Sequence, residues 1–72
     1  MREIKNIKLS DGCHFLGHFE NGKREGYGIK TYPNGATFEG FYENDVRHGT
    51  GFKTHANGTR IKVEYVNGIK KQ

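Results

Sequence analysis

The stretch FLGHFENGKREGYGIKTYPNG, Phe15–Gly35, decides the fold, because the same pattern returns 23 residues further along the chain. The second copy is FEGFYENDVRHGTGFKTHANG, Phe38–Gly58, and IKVEYVNGI at Ile61–Ile69 is a third, eroded copy. A fixed period of this size is typical of repeat architectures, in which each unit buries its apolar surface by stacking on its neighbours. Such a chain is expected to present an extended binding surface rather than a catalytic site.

The first half of each copy has the alternation of a β-strand. Large apolar residues and glycine occupy every second position, as in Phe15, Gly17 and Phe19, so they lie on one face of a strand. Turn residues such as Asn-Gly and Pro-Asn-Gly separate the runs, and no window has the apolar spacing of a helix. The pattern predicts an all-β fold, a single-layer antiparallel β-meander of about six strands. The strands are expected near residues 3–9, 14–20, 27–32, 37–43, 50–55 and 60–66.

The odd period also predicts the register of the strands. Equivalent residues must share a face, so one of the two turns in each repeat has an odd length, and Pro33-Asn34-Gly35 suits a three-residue hairpin loop. The predicted pairs across this loop are Tyr32 with Ala36, Lys30 with Phe38, Gly28 with Gly40 and Gly26 with Tyr42. The connection through Asn21–Glu25 pairs Gly28 with Gly17 and Gly26 with Phe19. The result is a row of glycines, Gly17, Gly28, Gly40 and Gly51, that ends at Lys5 and Val63 and over which aromatic rings lie flat.

Composition places the chain among small single domains. It has 72 residues, a net charge of +4 and 32% hydrophobic residues, and its nine Phe and Tyr residues argue against disorder. Cys13 is the only cysteine, which excludes an internal disulfide and a cysteine-rich zinc site. There is no apolar run of transmembrane length, and Met1-Arg2-Glu3 does not open a signal peptide. We expect an intracellular, cytoplasmic protein.

Other kinds of site have weaker support. His14 and His18 are about 13 Å apart along one strand, too far to share a metal ion. Cys13 and His14 are adjacent in a strand and point to opposite faces, so they do not form a nucleophile and base. Basic residues interleaved with aromatics are typical of single-stranded nucleic-acid binding, but here the aromatics occupy the positions that pack the sheet. We expect no catalytic residue, no cofactor, no metal site and no nucleic-acid partner.

The pattern (F/Y)-x-G-x-(F/Y)-x-N-G-K-x-x-G-x-G-x-x-x-(Y/H)-x-N-G-x-x closely resembles the MORN repeat (membrane occupation and recognition nexus). Phe15–Thr37 matches well, and Phe38–Thr59 matches with Asp45-Val46 in place of the usual Gly-Lys. The family usually has Trp where this chain has Phe19, Tyr42 and Tyr65. The resemblance divides the chain into a half repeat or cap (1–14), two repeats (15–37 and 38–59), a second half repeat (60–69) and a tail (70–72).

The resemblance implies a non-catalytic structural or adaptor protein in a larger assembly, often cytoskeletal or ciliary. The expected partner is another protein, or a second copy in a homodimer, and the open end strands invite such pairing. The predicted protein-binding residues form the glycine and aromatic face: Phe15, Phe19, Tyr32, Phe38, Tyr42, Tyr65, Gly17, Gly28, Gly40 and Gly51. One alternative is a peripheral membrane module that binds anionic phospholipids through Lys23, Arg24 and Arg47. Another is an accessory fragment of a larger enzyme.

Overall fold

A computed structural model describes residues 2–71, and these residues form one open antiparallel sheet. The strands follow one another in meander order, except that the short β5 pairs only with β4. The all-β, single-layer meander predicted from the alternation is therefore confirmed. The strands are β1 (Glu3–Lys8), β2 (His14–Glu20), β3 (Lys23–Thr31), β4 (Thr37–Glu43), β5 (Val46–Arg47), β6 (Gly49–Thr54), β7 (Arg60–Val66) and β8 (Ile69–Lys71).

The described strands number eight rather than about six. β3 begins at Lys23 instead of near residue 27, because it pairs with β2 directly after a tight turn. β5 repeats this early start in the second copy, and β8 repeats it in the third. Lys70 and Lys71, expected in a tail, thus belong to a strand. The ends of the predicted cap and tail, Met1 and Gln72, lie outside the described residues.

The three-residue turn at Pro33–Gly35 forms as predicted. The Tyr32 amide donates to the Ala36 carbonyl at 2.8 Å, and Gly35 has a φ of 94°, which is the left-handed conformation that ends such a loop. The Asn34 side-chain oxygen also accepts a hydrogen bond from the Ala36 amide at 3.0 Å. The same backbone pattern closes residues 10–12 and 56–58, so this turn occurs once in every repeat.

The other connection is a two-residue turn, not a loop through Asn21–Glu25. Asn21 and Gly22 have φ values of 53° and 79°, and Asn44 and Asp45 have values of 54° and 72°. Two successive positive φ values define a type I′ hairpin turn, in which asparagine and glycine are the favoured residues. The tight turn lets β3, β5 and β8 begin immediately, which explains the early start of β3 and the two additional short strands, β5 and β8.

A bulge follows the first two-residue turn. Phe19 pairs with Arg24, whereas Gly17 pairs with Gly28, so three residues of β3 lie opposite the single His18 of β2. The predicted pair of Gly26 with Phe19 is therefore wrong. Gly26 adopts a φ of 99° within this bulge, a conformation that side-chain-bearing residues rarely adopt.

The glycine row forms across four strands as the register predicts. Gly28 pairs with both Gly17 and Gly40, and Gly51 pairs with Val63 at the far end. The Phe15 ring covers Gly17 and Gly28, and the Phe38 ring covers Gly40 and Gly51. These two rings are only 1% exposed and are the centre of the core, which also includes Phe19, Tyr42 and Val63.

Candidate binding surfaces

The sheet has two faces of different character. We call the side that carries the glycine row the glycine face, and the opposite side the outer face. Alternation along β4 places Phe38, Gly40 and Tyr42 on the glycine face and Glu39 and Phe41 on the outer face. Both faces contain apolar side chains, so each is a candidate for contact with another molecule.

Four of the rings predicted to bind a partner on the glycine face are buried. Phe15 and Phe38 are 1% exposed, Tyr42 is 4% exposed and Phe19 is 7% exposed. The rings pack edge to face against one another and cover the glycine backbone. Whether this face contacts a partner stays a prediction. Its more accessible aromatics are Tyr32 and Tyr65, which are partly buried.

Two arginines cover the aromatic core on the glycine face. The guanidinium carbon of Arg47 lies 3.9 Å from the centre of the Phe38 ring, and that of Arg24 lies 4.9 Å from the centre of the Tyr42 ring. Both distances are those of cation–π contacts, which arginine makes more often than lysine. The two arginines occupy equivalent positions, 23 residues apart, so they form the second layer that a single sheet lacks.

Arg47 is held by tyrosine hydroxyls. Its Nη2 donates to the Tyr32 hydroxyl at 2.9 Å and its Nη1 donates to the Tyr65 hydroxyl at 3.1 Å. Burial of the guanidinium lowers the pKa of Arg47, but the hydrogen bonds to these hydroxyls outweigh burial and raise it above the ordinary arginine value. Arg47 is therefore a permanent, half-buried cation.

The three predicted lipid-binding cations differ in their surroundings. Arg24 forms an ion pair with Asp45, in which Arg24 Nε donates to Asp45 Oδ1 at 2.7 Å. That hydrogen bond is the main cause that holds the pKa of Asp45 below its usual range. Arg47 is packed on Phe38. Lys23, in contrast, is exposed at the start of β3.

The outer face carries the apolar patch that the sequence reasoning did not select. Leu16 is 45% exposed, Tyr27 is 40% exposed and Phe41 is 52% exposed. Tyr27 and Phe41 are paired residues of β3 and β4, and their ring centres are 5.6 Å apart in an edge arrangement. We call these three residues the outer patch. Alternation along the strands puts the three residues on one face, but the sequence does not show that this face lacks a cover.

Polar contacts fix the outer patch. The Tyr27 hydroxyl donates to Glu39 Oε2 at 3.0 Å, and Arg60 Nη1 approaches Glu39 Oε1 at 3.0 Å. Burial and the neighbouring carboxylate raise the pKa of Tyr27, so its hydroxyl is a donor throughout the physiological range. Two depressions of about 240 and 420 Å³ flank the patch. The first is lined by Asn6, His14, Leu16, Ile29 and Thr31, and the second by Arg2, His18, Glu25, Gly26, Tyr27, Phe41, Tyr42, Glu43 and His48.

Metal-ligating side chains are dispersed over the sheet. Among residues 2–71, no group of three or more His, Cys, Asp and Glu side chains is placed to hold a metal ion. The same residues contain no helix with the length and apolarity needed to span a membrane.

Comparison with known protein families gives one result. The family model of the MORN repeat matches residues 15–37 and 38–60, which are two consecutive repeats. No curated protein matches the chain. The match indicates a module that binds proteins or membranes, and repeats of this family are generally non-catalytic.

Proposed function

Because this chain belongs to the MORN-repeat family, we propose that it is a non-catalytic adaptor that binds a partner protein. The outer patch is the single observation that carries this proposal. Three large apolar side chains on adjacent strands are about half exposed, although six other hydrophobic side chains among residues 2–71 are buried. An exposed apolar patch with a polar rim is typical of a protein interaction site.

The occupant that suits the outer patch is an amphipathic segment of a partner protein. Tyr27 and Phe41 present rings, and aromatic residues are enriched at the centres of protein interfaces. The rim is charged with both signs, through Glu39, Arg60 and their neighbours, and therefore suits a protein surface better than a uniformly anionic one. The partner supplies the second layer that this side of the sheet lacks.

We place the partner complex in the cytoplasm, in an assembly of the cytoskeletal or ciliary kind. This placement follows from what the family resemblance implies. The open sheet edges at β1 and β7–β8 support membership of a larger assembly, since an edge strand presents unpaired backbone groups.

Membrane binding is the weaker candidate. Of the cations expected to contact lipid, Arg24 is paired with Asp45 and Arg47 is stacked on Phe38. A polybasic lipid site needs several cations free to approach the headgroups together. The observed arrangement favours a protein partner.

The test compares Phe41→Ser with Val66→Ser. Both side chains lie on the outer face and are about half exposed, but Val66 is on β7, away from the outer patch. The partner is captured with the wild-type chain, purified, and titrated against each variant by calorimetry. We expect Phe41→Ser to weaken binding about tenfold or more and Val66→Ser to have little effect.

Two results would contradict the proposal. The first is equal affinity of both variants for the purified partner. The second is binding of the chain to phosphoinositide vesicles but not to protein, measured by co-sedimentation at low and physiological salt. Far-UV circular dichroism of both variants controls for loss of the fold.

A further inference from the structure

Arg24 shows how this fold holds a carboxylate against a guanidinium. Asp45 Oδ1 accepts hydrogen bonds from Arg24 Nε at 2.7 Å and from the Arg24 amide at 3.2 Å. The backbone completes the contact, since the Asp45 amide donates to the Arg24 carbonyl at 3.0 Å. The carboxylate therefore comes from the second residue of the two-residue turn in the next repeat.

The same backbone arrangement recurs one repeat later without the carboxylate. Arg47 is equivalent to Arg24, and Gly68 is equivalent to Asp45. The Gly68 amide donates to the Arg47 carbonyl at 2.8 Å, which reproduces the earlier backbone contact. Gly68 has no side chain, so nothing on this turn can neutralise Arg47 as Asp45 neutralises Arg24.

No carboxylate within the described part of the chain replaces the missing one. The side-chain contacts of Arg47 are to two tyrosine hydroxyls and to the faces of Phe38 and Tyr65. Neutral hydroxyls satisfy two of the donors of the guanidinium, which has five. The cation is therefore partly desolvated and keeps donors available for an acceptor.

A cavity of about 350 Å³ lies beside Arg47 on the glycine face. It contains three cations and a single carboxylate, and the carboxylate is already bound to Arg24. The buried Tyr42 hydroxyl also lies in this region, beside Arg47. The cavity is lined by Arg24, Lys30, Tyr42, Asp45, Val46, Arg47, Tyr65 and Gly68.

We propose that this cavity binds a carboxylate of an acidic partner segment, an Asp or Glu side chain that takes on Arg47 the place that Asp45 takes on Arg24. The occupant is a protein carboxylate because the chain itself provides the precedent at the equivalent position. The excess of positive charge in the cavity complements such a ligand, and Lys30 lies at its edge as a second cation. The inference assumes the protein-binding role proposed above but concerns the opposite face, so either proposal can fail alone.

The probe is an acetylated and amidated hexaglutamate peptide, with the corresponding hexaglutamine peptide as its control. The full chain is titrated while its ¹H–¹⁵N spectrum is recorded, including the side-chain Nε–H signal of Arg47. We expect saturable shifts at Arg47 and Gly68 with hexaglutamate and none with hexaglutamine. Phe41→Ser is expected to bind the peptide as the wild type does, which separates this site from the outer patch.

Gly68→Asp is the decisive variant, and Gly68→Asn is its matched control. Gly68 has a φ of 85°. Asp45, the equivalent residue in the preceding two-residue turn, has a φ of 72°, so the backbone at Gly68 accepts an aspartate or an asparagine. A Cβ at Gly68 would lie 3.3 Å from the Val46 Cβ, a tight contact that both variants share. The aspartate is expected to occupy the site from within and to weaken hexaglutamate binding about tenfold or more, while the asparagine changes it far less.

Three outcomes would overturn the proposal. One is equal weakening by Gly68→Asp and Gly68→Asn, which would mean that the side chain obstructs the cavity without its charge. Another is the absence of shifts with hexaglutamate under conditions where the spectrum is that of a folded chain. The third is a response of the same signals to inositol hexakisphosphate but not to hexaglutamate, which would make the cavity a phosphate site.

Discussion

Replacement of Gly28 by alanine tests the packing of the core most directly. Gly28 has no positive φ, so its backbone accepts a side chain. The obstacle is the Phe15 ring, because a Cβ at residue 28 would lie 2.8 Å from Phe15 Cε1 and nearer still to Cζ. Ordinary contacts of a Cβ begin at 3.4 Å. The ring must move, but it is 1% exposed and packed against Phe19 and Tyr42.

The sign of the change in the free energy of unfolding shows whether the Phe15 ring obstructs the new side chain. Where nothing obstructs the side chain, Gly→Ala stabilises a protein by about 0.4–1 kcal/mol, because it restricts the unfolded chain. Overpacking of a filled core costs about 1–3 kcal/mol. We expect Gly28→Ala to reduce the free energy of unfolding by about 2 kcal/mol, from a total of roughly 4–10 kcal/mol for a chain of 72 residues. The melting temperature should fall by about 10 °C.

The assay is urea unfolding followed by far-UV circular dichroism, since the chain has no tryptophan. Gly28→Ala is measured alone and together with Phe15→Leu, which removes the ring from the position of the new Cβ. The double-mutant cycle should give a coupling energy of about 1–2 kcal/mol, because the shorter side chain leaves room for the methyl group. Gly22→Ala is the control, since Gly22 has a φ of 79° and no heavy atom within 4 Å. Gly22→Ala should lower the free energy of unfolding by the same amount in the wild-type chain and in the Phe15→Leu background.

The reasoning is refuted if Gly28→Ala costs as much in the Phe15→Leu background as in the wild type. An increase in melting temperature for Gly28→Ala alone would refute it as well. Either result would mean that the ring does not lie over the glycine row.

Three further predictions concern burial, charge and turn geometry. Phe38→Ala should cost about 3–5 kcal/mol in urea unfolding, whereas Phe41→Ala should cost less than about 1 kcal/mol, because the first ring is buried and the second is half exposed. Asp45→Asn should destabilise the chain by up to about 1 kcal/mol at neutral pH, through loss of the exposed pair with Arg24. The folded-state pKa of Asp45 is lowered, so this difference is present above the ordinary carboxyl pKa of about 3.9 and should disappear in thermal melts as the pH falls through the lower value. Asn44→Ala should cost about 1 kcal/mol in the same melts, because Asn44 has a φ of 54° and alanine tolerates that conformation poorly.

The register of the strands could be predicted from the sequence even where the loops could not. The pairing of Gly17 with Gly28 depends on the number of residues between them. It does not depend on how the unpaired residues are distributed between the turn and the bulge. A four-residue loop after Glu20 and a two-residue turn followed by a bulge both produce the pair Gly17–Gly28. They differ at Phe19, which pairs with Arg24 instead of Gly26. The alternation contains no information about this choice, because the bulge is stabilised by the left-handed conformation of a single glycine.

The accessible surface was harder to predict than the fold. A single sheet leaves the rings of Phe15 and Phe38 without a second layer, but Arg24 and Arg47 cover them from within the chain. The signal was present in the sequence, since both arginines occur at the same position of the repeat. Charged residues are usually assigned to solvent, and the long arginine side chain is the main exception because its planar group stacks on aromatic faces. The candidate interface is therefore the outer patch, which includes Phe41.

The three-residue turn at Pro33–Gly35 sets the register of β4 against β3. Two residues paired across this turn are both odd-numbered or both even-numbered. Two residues paired across the two-residue turn at Asn44–Asp45 have one odd and one even number. If Asn34 were removed and the three-residue loop formed again from Pro33, Gly35 and Ala36, Tyr32 would pair with Thr37 and every later residue would turn over, so that Phe38 would face the solvent and Phe41 the core. A whole 23-residue unit, in contrast, can be inserted or removed without reversing any side chain. Single-residue insertions and deletions in these turns are thus a greater hazard to this fold than the duplication of an entire repeat.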